Sequence, residues 1–264
     1  MKNNYPKKSL GQNFLIDKNV INIIINAGDI KKNDTVLEVG PGTGNLTEKI
    51  LSKNPRKIFA IEKDKFLARK LNEKFKEKII LVNNDILKID EKNYSNDPMI
   101  VFGNLPYNIS TQILIKWIRY NNLNNTFKKF ILMFQKEVAE RIIAETHEKN
   151  YGRLAVLSSW KLNIKKVTDV LPNSFYPIPK VKSTVLLIEP KNEYFNLKNV
   201  KNLEHITNIF FNQRRKMIKK PLNIIFKNVN EISKKLNINI NDRPQNLSSL
   251  KYFEICREYE NLGS

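Results

Sequence analysis

The sequence predicts an α/β fold built on a mainly parallel sheet, followed by a small all-helical C-terminal domain. Three observations carry this. Short apolar, β-rich runs alternate with amphipathic helical stretches from about residue 35 to 190. Several of these runs end in Gly, Glu, Asn or Asp, as parallel strands do where they open onto a ligand crevice. Past Pro190 the strand signal stops and apolar residues recur only at helical spacing.

Taken in order, Thr35–Val39 is a β-rich run that ends in glycines, and Leu46–Leu51 follows with helical spacing. Lys57–Ile61 is a second strand, closed by Glu62. Phe66–Phe75 places Leu67, Leu71 and Phe75 on one helix face. Ile79–Val82 is a third strand, closed by Asn83, Asn84 and Asp85, and Met99–Phe102 a fourth, closed by Gly103 and Asn104. Ile109–Tyr120 reads as a helix, Phe130–Phe134 as a fifth strand, and Glu137–Glu145 as a helix. Such alternation means βαβ units. Val167–Val170 and Thr184–Ile188 then flank the proline-containing stretch Pro172–Lys180, as a hairpin-type return with a long loop would. Residues 191–202 are polar and linker-like. Helical patterns follow at Leu203, Ile206 and Phe210, at Ile232 and Leu236, and at Leu250, Phe253 and Cys256. The expected domains are 1–190 and 191–264.

Composition narrows the function. The chain has 264 residues, 46 Lys+Arg against 26 Asp+Glu, and a formal charge of +20. At 41 % hydrophobic and 9 % aromatic it can bury a core and is not a disordered chain. No apolar run approaches the roughly 20 residues of a membrane span. No secretory signal follows the basic N-terminus, so a cytoplasmic setting is expected. One cysteine and two histidines exclude a disulfide framework, a cysteine-built zinc site and a multi-histidine metal centre. The charge points to a polyanionic partner, most often nucleic acid. The abundance of Asn and Ile and the excess of Lys over Arg also fit AT-rich coding DNA. Basic charge is spread over both parts: 14 basic and 7 acidic residues fall at 190–264, and 32 and 19 before it.

The strand ends carry the chemistry. Glu38-Val39-Gly40-Pro41-Gly42-Thr43-Gly44 lies between a strand and a helix, where glycines admit a ligand close to the backbone. Its G-x-G-x-G spacing differs from the dinucleotide fingerprint G-x-G-x-x-G. Alone it also fits an ordinary tight turn. Glu62 sits where a carboxylate accepts both hydroxyls of a ribose. Asp85 can accept from an exocyclic amine such as that of adenine, and an Asx turn is its plain alternative. Asn104-Leu105-Pro106-Tyr107 supplies an amide oxygen, a backbone carbonyl and an aromatic face, the groups that a flipped-out base needs.

On these residues the chain resembles the small-subunit ribosomal RNA adenine-N6,N6-dimethyltransferase family, and the resemblance runs nearly end to end. Lys8-Ser9-Leu10-Gly11-Gln12-Asn13-Phe14-Leu15 is similar to that family's N-terminal cofactor motif. Glu38–Gly44 is similar to its glycine loop, Asp85 to its adenine-side acid, and Asn104–Tyr107 to its base-binding motif. Phe175-Tyr176-Pro177-Ile178-Pro179-Lys180-Val181 is similar to its late loop. Gln213-Arg214-Arg215-Lys216 and Arg243-Pro244-Gln245-Asn246-Leu247-Ser248 are similar to two C-terminal segments. Pro244-Gln245 departs from a common Ala-Glu pair.

The resemblance implies a Rossmann-like, seven-stranded catalytic domain of the class I methyltransferase type. It implies S-adenosyl-L-methionine as cofactor, with transfer of methyl groups to N6 of two adjacent adenosines near the 3′ end of small-subunit rRNA. Asn13 and Leu15 would contact the cofactor's amino-acid end or nearby surface, Gly40 would line its methionine portion, and Gly42 and Gly44 would also be cofactor-binding. Glu62 would hold the ribose, with Asp85 and Ile86 at the adenine. Asn104 would sit between the two substrates and contact the cofactor as well as the base, and with it Leu105, Pro106, Tyr107 and Phe175 would handle the target base, Tyr107 and Phe175 from opposite faces. Arg214, Arg215, Lys216, Lys219 and Lys220 would meet RNA phosphates. No metal is implied, and a monomer acting on the small ribosomal subunit is expected. Three rivals remain at this level. A resistance methyltransferase of large-subunit rRNA is disfavoured by Pro41-Gly42-Thr43, Leu105 and Arg243–Ser248. A catalytically silent assembly factor is disfavoured by the intact Asn104–Tyr107. A dehydrogenase is disfavoured by the loop spacing.

Overall fold

A computed structural model describes residues 11–262 of the chain, so Lys8, Ser9 and Leu10 of the N-terminal motif lie outside the described residues. The chain divides into two compact units, Met1–Ala139 with Asn163–Pro190, and Glu140–Leu162 with Lys191–Ser264.

In the first unit the strands are β1 (Phe14–Leu15), β2 (Thr35–Val39), β3 (Lys57–Ile61), β4 (Ile80–Val82), β5 (Met99–Asn104), β6 (Phe127–Gln135), β7 (Leu162–Val170), β8 (Phe175–Tyr176) and β9 (Ser183–Pro190). The helices are α1 (Lys18–Gly28), α2 (Asn45–Leu51), α3 (Lys65–Phe75), α4 (Ser110–Ile118) and α5 (Leu123–Thr126), and the boundary between the units falls inside α6 (Lys136–Ile143). Among the described residues a seven-stranded sheet has the order β4-β3-β2-β5-β6-β9-β7, and β1 pairs with β8 apart from it. The pairs from β4 to β6 are parallel, and β6 with β9 is antiparallel.

That order has a physical basis in the apolar runs. Met99–Phe102 of β5 and Val36–Leu37 of β2 are fully buried, as central parallel strands covered on both faces must be. Strand order reverses between β2 and β5, which makes the crevice above their carboxyl ends the place for a ligand. A helix the sequence reading passed over, α1, closes the sheet on one side. Asp17 caps it by accepting from the Asn19 and Val20 N–H groups. Its stripe of Val20, Ile21, Ile24, Ile25 and Gly28 is buried. A Cβ at Gly28 would come within 2.3 Å of the Phe102 ring, so the glycine lets α1 lie close on β5.

The second unit contains α7 (Arg153–Lys161), α8 (Val200–Phe211), α9 (Lys219–Ile225), α10 (Val229–Leu236) and α11 (Ser249–Asn261). In its core Phe210 meets Tyr252 edge to face, half-buried Phe211 packs on the same ring, and the Tyr252 hydroxyl donates to the Pro244 carbonyl at 2.7 Å. Its extent differs from a boundary at residue 190. Residues 140–162 pack with the C-terminal helices, because the buried side of α7 faces α8 and α11. The Tyr151 hydroxyl also donates to the Leu247 carbonyl at 3.0 Å.

Candidate active site

The loop after β2 is shaped by its glycines. Gly40 and Gly42 have φ of 71° and 59°, a region L side chains rarely adopt. A Cβ at Gly42 would stand 2.8 Å from the Phe14 ring. Nothing nearer than the Asn104 carbonyl, at 3.8 Å, faces a Cβ at Gly40, so ligand atoms can approach that backbone closely. The loop borders a cavity that is also lined by Asn13, Leu15, Glu62, Asp85, Ile86, Asn104 and Tyr107.

Glu62 closes β3 and is 6 % exposed. One carboxylate oxygen accepts the Gly42 N–H at 3.1 Å and the other accepts the Asp64 N–H at 2.8 Å. Burial raises its pKa against the pull of those donors. Each oxygen keeps a lone pair for a hydroxyl, and the backbone bonds hold the group still. Asp64, which caps α3, also accepts from Gln12 Nε2 at 3.2 Å, tying the N-terminal segment to that helix.

Asp85 follows β4 and forms the Asx turn that was its plain alternative, accepting the Leu87 N–H at 3.0 Å. It lines the cavity all the same, with Lys63 Nζ 2.8 Å from its other oxygen. Burial acts to raise its pKa, but Lys63 and the Leu87 N–H outweigh it and hold the carboxyl low.

Asn104, at the end of β5, donates from Nδ2 to the Asn13 carbonyl at 2.7 Å. That bond fixes which way the amide faces and leaves Oδ1 as an acceptor. Leu105 is buried, and the Pro106 carbonyl accepts the Ile109 N–H to close the turn. Tyr107 is half-buried, its hydroxyl 2.6 Å from Ser183 Oγ at the start of β9. Its ring is thereby held at the cavity.

Phe175 is the departure. Its register partner is Leu15, and it lies 1 % exposed in the hydrophobic core. It does not line the cavity and, contrary to expectation, offers no open face to a base: a two-residue strand turns alternate side chains to opposite faces. Tyr176, 57 % exposed and paired with Phe14, is the aromatic that faces outward. Leu15 contributes through its backbone, its carbonyl accepting from Asn45 Nδ2 at 2.8 Å. Gly44 borders α2, with a Cβ there meeting Phe75 at 2.6 Å, and is not among the cavity residues. In the second unit Arg215, Lys216, Lys219 and Lys220 are exposed, whereas Arg214 is half-buried and its guanidinium donates to the Lys149 carbonyl.

One residue of the cavity escaped the sequence reading as a separate group. Glu38 is 1 % exposed, and its Oε2 has no hydrogen-bond partner among the described residues. Burial pushes its carboxyl up to about 7, with the Thr47 hydroxyl offsetting part of this and the Glu62 charge adding to it. Its place before Gly40 was the available signal.

A Rossmann-like seven-stranded sheet with a glycine loop and carboxylates around one switch-point crevice is a class I methyltransferase fold. Solved structures agree: a dimethyladenosine transferase from Plasmodium falciparum superposes with a TM-score of 0.79 at 26 % identity, covering 95 % of this chain and 98 % of that one. The 23S rRNA methyltransferase ErmE gives 0.67 at 25 % identity, over 93 % and 100 %. The chain belongs to the ribosomal RNA adenine dimethylase family, whose sequence model matches residues 3–261. The Ribosomal RNA small subunit methyltransferase A of Pelagibacter ubique is 56 % identical over 97 % of both chains. That of Ehrlichia ruminantium is 43 % identical, covering 97 % of this chain and 99 % of its own.

Proposed function

We infer that this enzyme dimethylates N6 of two adjacent adenosines near the 3′ end of small-subunit rRNA, using S-adenosyl-L-methionine, in the cytoplasm during subunit biogenesis. The observation that carries it is Asn104, whose amide is locked by the Asn13 carbonyl with Oδ1 left to accept. The greater identity to small-subunit relatives than to ErmE favours the small subunit.

The residues present fit that cofactor. Gly40 leaves room beside the backbone, Glu62 is braced to accept two hydroxyls, and Asp85 stays ionised at the far wall. S-adenosyl-L-methionine, when bound, supplies an electrophilic methyl group on a sulfonium. The chain's own task is to prepare the nucleophile. Adenine N6 is weakly nucleophilic because its lone pair is delocalised into the ring. Acceptors at Asn104 Oδ1 and the Leu105 carbonyl hold the amine hydrogens out of that plane and favour a pyramidal nitrogen. Tyr107, anchored through Ser183, offers a stacking face worth roughly 1–3 kcal/mol. Fixing nucleophile and methyl donor in one geometry supplies most of the acceleration. Arg215, Lys216, Lys219 and Lys220 are the exposed cations that we assign to rRNA phosphates.

The test is mass spectrometry of unmethylated small-subunit and large-subunit RNA treated with the protein and labelled cofactor. Two dimethylated adenosines in the small-subunit RNA are expected. Label confined to large-subunit RNA, or absent from both, overturns the reading.

A further inference from the structure

Beyond β4 the chain forms one wall of the cavity. Asp85 and Ile86 line it, and they enter a single 3₁₀ turn, Ile86–Lys88. Asp85 is held by its Asx bond and by Lys63, but those bonds leave the Ile86 carbonyl to be tied from elsewhere. The group that ties it is Lys116, on α4. Its Nζ donates to the Ile86 carbonyl at 2.6 Å and to both oxygens of Glu91 at 2.8 Å. All three ammonium protons are thereby used.

Glu91 is completely buried. Besides Lys116 it accepts from Trp117 Nε1 at 2.6 Å, and the Tyr120 hydroxyl lies 2.6 Å from its Oε2. Apolar packing would hold α4 on the sheet as well as this charged cluster does, since buried ion pairs seldom add net stability. What apolar packing does not provide is direction. The cluster aims one proton at one carbonyl of the cavity wall. The same helix meets the base-binding loop at its other end, where Ser110 Oγ donates to the Tyr107 carbonyl at 3.2 Å.

We propose that Lys116 is a positioning residue for adenine recognition: held by Glu91, it fixes the Ile86 carbonyl and so sets the Asp85–Ile86 wall against the exocyclic amine of the cofactor. This rests on the reading of the cavity as the S-adenosyl-L-methionine site. Lys116→Met alone strands a buried carboxylate, so the test uses the charge-balanced double variant Lys116→Met/Glu91→Gln beside it. Calorimetry on the full chain compares S-adenosylhomocysteine with S-inosylhomocysteine, in which a carbonyl oxygen replaces the amine. The parent should prefer the adenine compound. The double variant should lose about tenfold in affinity for it and little for the inosine compound, with KM for the cofactor rising more than kcat falls. A merely structural role lowers the melting temperature and leaves the preference intact, and that result overturns the proposal. A parent that binds neither compound, or both alike, overturns the cofactor reading itself and the proposal with it.

Discussion

Replacing Glu38 by Gln tests the electrostatics of the site most directly. Burial of this carboxyl moves its pKa from the ordinary 4.5 to about 7. Between those values the folded chain binds more protons than the unfolded one, so stability falls as pH rises through that window. The gap, at roughly 1.4 kcal/mol per pH unit, amounts to about 3 kcal/mol. The loss is absent below the lower value and complete above the upper one. Glutamine has no proton to lose and escapes it. Whatever Glu38→Gln costs in packing is the same at every pH. Between about pH 4 and pH 8 the variant should therefore gain about 3 kcal/mol on the parent, a relative rise of roughly 6–12 °C in Tm. Thermal unfolding of both proteins across that range, without cofactor, measures it. A Tm difference that stays constant with pH refutes the reasoning, because Glu38 would then be ionised alike in both states.

Asn104→Ala should keep cofactor binding by calorimetry and lose at least a hundredfold in methyl transfer, since it removes the fixed acceptor; unchanged turnover on immature small subunits would sink its assigned role. Gly42→Ala forces a Cβ to 2.8 Å from Phe14 at a φ of 59°. It should cost about 1–3 kcal/mol of stability and weaken cofactor affinity, checked by melting and titration, with parent-like values counting against the close-approach loop. Joint replacement of Arg215, Lys216, Lys219 and Lys220 by Ala should flatten the salt dependence of RNA affinity by about 3 in log–log slope. An unmoved slope would take the phosphates elsewhere.

The sheet was largely legible in the sequence because central parallel strands are buried on both faces and therefore spell continuous apolar runs. Thr35–Val39 and Lys57–Ile61 begin and end where the periodicity puts them. The groups that close those runs, Glu62, Asp85 and Asn104, were legible for the same reason: the carboxyl ends of parallel strands share one rim. Helix α1 is legible only in hindsight of the fold, from Asp17 and the spacing of Ile21, Ile24 and Ile25, because its residues precede the first clear strand and belong to no βα alternation.

What the sequence determined by itself is thus the alternation of elements and the polar groups at their ends, both written in local spacing. The tertiary structure alone decided matters of register and distant pairing. Whether Phe175 or Tyr176 turns inward depends on β1 pairing with β8 across some 160 residues, and a shift of one residue would exchange them. Residues 140–162 join the C-terminal helices because α7 packs there, which no local composition records. Arg214 spends its guanidinium on the Lys149 carbonyl, and Lys116 reaches the Ile86 carbonyl 30 residues earlier. The broad charge of +20 was visible at once. Which cations remain exposed for RNA, and which are used to hold the protein in shape, depends on contacts that exist only after the chain has folded.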